Sequence, residues 1–167
     1  SYYFSKFNHC WGWASWRRAW KHFDYDMSSW PKAKASKSFN DLYSHYAESL
    51  YWTNLFDKTY RNEINSWAIR WTFSCWNNGG LTVTPSANLI HNIGFDQSAT
   101  HTKEAPDRYS PTINSMDYPL KHPDSVTRHI QFDRVTDNIW FSGGPFFPLR
   151  RFAKKIVALL SKTTRNR

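Results

Sequence analysis

Apolar and polar positions fall into short blocks whose spacing changes several times along the chain. Tyr2-Tyr3-Phe4-Ser5-Lys6-Phe7 reads as a β-rich opening, and Gly12 breaks it. Ser15 is placed to N-cap a short helix, Trp16 to His22, with Trp16 and Trp20 on one face at i, i+4. Residues 28–38 read as a turn or loop. Within Asp41 to Tyr60 the positions Leu42, Tyr46, Leu50, Leu55, Phe56 and Tyr60 keep a helical period over about five turns. Ser66 can cap a further helix, Trp67 to Trp76, stopped by Asn77-Asn78-Gly79-Gly80. Leu81 to Pro85 and Asn88 to Ile93 read as short strands around a Pro-Ser turn. From Gly94 to Pro148 the period weakens and ordered loops with one or two short strands are expected. Arg150 to Lys162 closes the pattern as a helix with Phe152, Ile156, Val157, Leu159 and Leu160 in one apolar stripe.

These elements give α/β or α+β material with few strands and no internal repeat. A sheet of two or three strands is small for so many helices, so the rest of the sheet is expected on an N-terminal segment that precedes Ser1. The chain has 167 residues, enough for one domain, and no apolar run approaches the roughly 18 residues of a membrane span. No charged-then-apolar leader follows Ser1, and a chain without an initiator Met is read as trimmed or cut from something longer. Cys10 and Cys75 make neither a disulfide framework nor a metal knuckle, which suits buried thiols in a reducing compartment.

Charge changes the picture once it is divided. The net charge is +9, but residues 150–167 hold seven bases and no acid, which leaves 15 bases and 13 acids in residues 1–149. A near-neutral body weakens a nucleic-acid-binding reading, which calls for a basic stripe on the main surface. The basic amphipathic tail suits an anionic membrane surface, or a terminal helix docked on the body with its bases in solvent.

Three constellations carry candidate chemistry. The run from His9 to Trp20 contains Trp11, Trp13, Trp16 and Trp20 around Gly12. Flat indole faces beside a tight turn suit a sugar ring, and Arg17 or Arg18 could meet an anionic group. The alternative is a tryptophan-rich core corner. Glu63 precedes the helix carrying Trp67 and Trp71, and a helix N-terminus facing a cleft is where an acidic base or an anion would sit. His101, between Thr100 and Thr102, could ligate a divalent metal or donate to a phosphate, against the default of a surface histidine; His91 and His122 form no zinc spacing with it. Asp24-Tyr25-Asp26 matches an Asp-x-Asp metal signature on paper, but a solvated turn accounts for it better. There is no glycine-rich phosphate cradle, nucleophile elbow or His-Glu-x-x-His motif.

Ser1-Tyr2-Tyr3-Phe4-Ser5 and Trp11-Gly12-Trp13-Ala14-Ser15-Trp16-Arg17-Arg18-Ala19-Trp20, followed in order by the Trp67 helix, Asn92-Ile93-Gly94-Phe95, Ala99-Thr100-His101-Thr102 and Tyr118-Pro119-Leu120-Lys121-His122-Pro123, resemble bacterial family-2-like glycosyltransferases of the GT-A fold, often labelled nucleotide-diphospho-sugar transferases or hemolytic-protein-like. The resemblance covers residues 1–125. It implies an incomplete GT-A-like α/β fold: the C-terminal, acceptor-side half over 1–125, a loop-rich extension over 126–149 and the basic tail helix over 150–167. It implies a nucleotide-sugar donor, a glycan or lipid-linked acceptor, and a divalent cation (Mn or Mg) with His101 near it. Trp11, Gly12, Trp13, Trp16, Arg17, Trp67 and Trp71 would border the sugars. The nucleotide-binding half and its acidic metal motif would come from an upstream segment or a second chain, and the location implied is cytoplasmic, at the inner membrane face. The family's helix opens with Trp-Asp, that Asp being the catalytic base, whereas this chain has Ala68. Either Glu63 takes the base role, or the chain is a non-catalytic carbohydrate-binding or partner module.

Overall fold

The computed structural model describes residues 1–91 and 112–143. The described residues form six helices and a small sheet, in the order β1 (Tyr2–Ser5), α1 (Arg17–Trp20), α2 (Trp30–Ala35), α3 (Lys37–Asn40), α4 (Tyr46–Tyr60), α5 (Trp67–Asn77), β2 (Thr82–Pro85) and α6 (Ile130–Trp140). β1 and β2 pair antiparallel, Tyr2 opposite Pro85 and Ser5 opposite Thr82. On its other edge β1 makes a single parallel bridge, Phe4 to Arg128. The class is α/β with a very small sheet.

Large rings hold the body together. Phe7, Trp30, Phe39, Trp52, Phe56, Phe73 and Trp76 form the core with Met27 and Ala33. They pack largely edge-to-face, as in Trp30 against Phe56 at 5.2 Å and Phe56 against Phe73 at 5.7 Å, the arrangement that ring quadrupoles favour. Helix α5 is the hub. Its buried residues, Arg70 through Ser74 and Trp76, run around most of its circumference, and the Trp76 indole N–H donates to the Lys6 carbonyl at 2.7 Å.

Several elements differ from the sequence expectation for identifiable reasons. α1 is one turn long, with Trp16 as N-cap and no side-chain cap, so Ser15 does not start it. Residues 28–38 are not a loop. Pro31 lies in the first turn of α2, where its missing N–H costs nothing, and the buried Trp30 and Ala33 fasten that helix. α4 begins at Tyr46, and it buries Glu48, Trp52, Phe56 and Thr59 while Tyr46, Leu50 and Tyr60 face solvent. α5 matches its expected span, but the Ser66 side chain makes no capping hydrogen bond. Asn88 to His91 form no strand.

The region expected to be loops holds α6, built inside out. Asp133 and Asp137, at i, i+4, are buried, while Val135 and Ile139 on the far side are exposed. A histidine opens both α4 and α6: His45 Nδ1 accepts from the Glu48 N–H at 3.1 Å, and His129 Nδ1 accepts from the Phe132 N–H at 3.3 Å.

Candidate functional site: an exposed tryptophan shelf

Gly12 sits at φ +59°, and a Cβ there would lie 2.2 Å from Ile90 Cδ1. Only glycine takes this turn and this approach without strain. The turn delivers Trp13 onto α5, where its indole stacks on Trp67 with centroids 5.4 Å apart and planes 23° from parallel. Trp13 also meets Trp71 at 6.0 Å and Trp20 at 6.1 Å, and Trp20 packs on Trp71 at 4.8 Å and on Phe23 at 4.6 Å. Trp71 is the buried floor of this cluster, whereas Trp67 and Trp20 remain 45% and 42% exposed. The four indoles lie outside the main core cluster, with Trp71 buried, Trp13 half-buried, and Trp20 and Trp67 open to solvent. Trp11 and Trp16 are exposed, and the Arg18 guanidinium lies over the Trp16 ring at 4.9 Å. Arg17 opens α1 on the same exposed segment.

Of the residues singled out in the sequence, the fold brings Trp13, Trp67 and Trp71 together, with Gly12 as the enabling turn, and adds Trp20. Glu63 is exposed in the connection between α4 and α5. The Arg61 Nε–H donates to it at 2.6 Å and holds its carboxyl below its usual value. Ala68 lies in the first turn of α5, which contains no acidic residue. Asp24 is the hub of a turn, accepting from the Ser28 and Ser29 N–H groups at 3.0 Å each and from the Ser29 hydroxyl at 2.7 Å. His101 and the 150–167 tail lie outside the described residues.

A buried polar cluster was not legible in the sequence. Lys6 pairs with Glu48, both almost fully buried, and its ammonium also donates to the Leu42 carbonyl at 2.8 Å. His45 Nε2 lies 3.2 Å from Asp137 Oδ2, which also accepts from the Ser142 hydroxyl. Asp133 accepts from the Ser5 hydroxyl and from Arg128 Nε, both at 2.5 Å. Burial pushes the Asp137 carboxyl above its usual value.

His45, Glu48 and Asp137 bring one ligand-type atom each to within 4.8 Å of one another. The set does not fit a cation well. His45 Nδ1 is the cap acceptor of α4, so the neutral ring carries its proton on Nε2, facing Asp137. Glu48 has one oxygen on Lys6 and the other on the Ser44 N–H. Only Asp137 Oδ1 and the poorly aligned His45 Nε2 lack a hydrogen-bond partner in this trio. A metal would have to displace the Lys6 ammonium, so the cluster is better explained as an internal ion network tying β1, α4 and α6 together.

No helix among the described residues is long and apolar enough to cross a membrane. No protein-family model, curated protein or solved structure matches the chain.

Proposed function

We propose that this chain supplies the acceptor-side, sugar-binding surface of a glycosyltransferase that moves a sugar from a nucleotide donor to a glycan or lipid-linked acceptor. One observation carries the reading: Trp13, Trp20 and Trp67, from two distant segments, are layered over the buried Trp71, and Trp20 and Trp67 keep exposed faces at the surface. Exposed stacked indoles offer C–H and stacking contacts to the apolar faces of sugar rings. The nucleotide, and the Mn or Mg ion that the resemblance implies, would be bound by an upstream half or a second chain, together with His101. The basic tail would bring the assembly to an anionic inner-membrane surface.

A second reading, a carbohydrate-binding module without catalysis, is favoured by Ala68 and by the ion-paired Glu63. A base is most effective with its pKa near the working pH, and pairing with Arg61 moves Glu63 away from that condition.

Both readings require the shelf to bind sugars. Titration of the chain with a panel of neutral oligosaccharides should give a saturable change in tryptophan fluorescence, and Trp67→Ala should weaken binding about tenfold or more. Binding that survives unchanged in Trp67→Ala would remove the shelf from the site. No binding by the wild-type chain would overturn the proposal.

A further inference from the structure

Behind the shelf, Trp71 forms the wall of a second feature, a cleft of about 320 Å³ lined also by Arg18, His22, Ser74, Cys75 and Asn78. That volume is at the small end for a ligand site and suits a single sugar ring. No carboxylate is among the lining residues. Arg18 has no acidic partner among the described residues, and its guanidinium lies over the face of Trp16. Burial pushes the Cys75 thiol up to about 12, so it brings no negative charge at neutral pH. Ser74 is committed to the protein: it donates to the Arg70 carbonyl at 2.8 Å and accepts from the Asp24 N–H at 2.9 Å.

Helix α5 also buries a cation that meets no acid among the described residues. Arg70, one turn before Ser74 on α5, is 3% exposed, and its guanidinium meets only neutral groups: Asn62 Oδ1 at 3.0 Å, Asn65 Oδ1 at 3.3 Å and the Tyr25 ring at 4.8 Å. Its Nε–H has no partner.

We infer that this cleft takes the carboxylate of an acidic sugar, with Arg18 as its fork and Trp71 against the ring, so that the chain prefers uronic-acid glycans to neutral ones. The inference rests on the sugar-binding reading above and narrows it. The planar guanidinium matches a carboxylate with two parallel N–H donors, which a neutral hydroxymethyl group cannot use.

The test titrates the chain with two β-linked disaccharides that differ only in ending in glucuronate or glucose. The glucuronate form should bind about tenfold tighter, as expected for one charge-assisted contact at a partly exposed site. Raising the salt should narrow the gap. Arg18→Gln, a surface change that leaves the core intact, should erase the preference while retaining binding of the glucose form. Equal affinities, or a preference that Arg18→Gln leaves unchanged, would overturn the acidic-sugar inference and leave the shelf standing. Failure of both disaccharides, together with the neutral panel, would overturn both.

Discussion

At the scale of single residues, Lys6 and Glu48 show how much depends on a few buried charges. Glu48→Gln keeps an oxygen for the Lys6 ammonium but removes its buried counter-charge, and should cost about 3–5 kcal/mol in chemical denaturation. Replacing both by apolar residues of similar volume should cost less than the two single changes together. Burial lowers the Lys6 pKa to about 8, more than the Glu48 charge restores. Between pH 8 and the ordinary lysine value of 10.5, the unfolded chain therefore holds a proton that the folded chain has lost, and Lys6's contribution to stability rises with pH. Denaturation midpoints of the wild type measured against Lys6→Met should show that rise in the difference between the two proteins. A flat difference would contradict it. Nothing in the Tyr-Tyr-Phe-Ser-Lys-Phe pattern marks Lys6 as interior, because its partners arrive 36 to 42 residues later. Gly12 is the opposite case: a glycine between two tryptophans announces a turn, and the positive φ is what the fold does with it.

Among the elements, α5 was the most legible, because Ser66, the indole spacing and the terminal Asn-Asn-Gly-Gly all mark the same boundaries. Its first turn is bare of acids, so Ala68→Asp should stabilise the helix by about 0.3–1 kcal/mol through the exposed N–H groups there. In an enzyme completed by a nucleotide-binding half, the same change should raise transferase turnover by at least about a hundredfold if this position holds the base. Stabilisation with unchanged turnover would confine Ala68 to a structural role. The face of α4 and the existence of α6 were hidden for one shared reason. Both helices bury carboxylates, Glu48 on one and Asp133 and Asp137 on the other, which a hydrophobic count assigns to water. The short α2 was missed because Lys-Ala-Lys-Ala-Ser resembles a linker, while what holds the helix is long-range: Trp30 Nε1–H and Lys34 both donate to Asp57 of α4.

At the scale of the molecule, the aromatic load is spread over separate places. Among the described residues one set of rings fills the core, Trp13, Trp20 and Trp67 are layered over the buried Trp71 as the shelf, and Tyr3 packs with His129 and Phe132 between β1 and α6, a division that composition alone left open. The near-neutral body and basic tail call for separate tests. Deleting residues 150–167 should abolish sedimentation with vesicles rich in anionic lipid and leave neutral-sugar binding intact; persistent sedimentation would place the membrane contact elsewhere.

The sheet carries a consequence for synthesis. Tyr2 pairs with Pro85, and Phe4 bridges to Arg128, so the first strand meets its neighbours only after some 80 and 120 further residues have been made. At roughly 5–20 residues per second, that strand spends about 4 to 25 seconds on the ribosome with its edges unsatisfied. Within the first part of that interval Phe7 waits for Trp52 and then Trp76 to cover it. A chaperone that recognises aromatic stretches would find its window here, before the finished protein closes it.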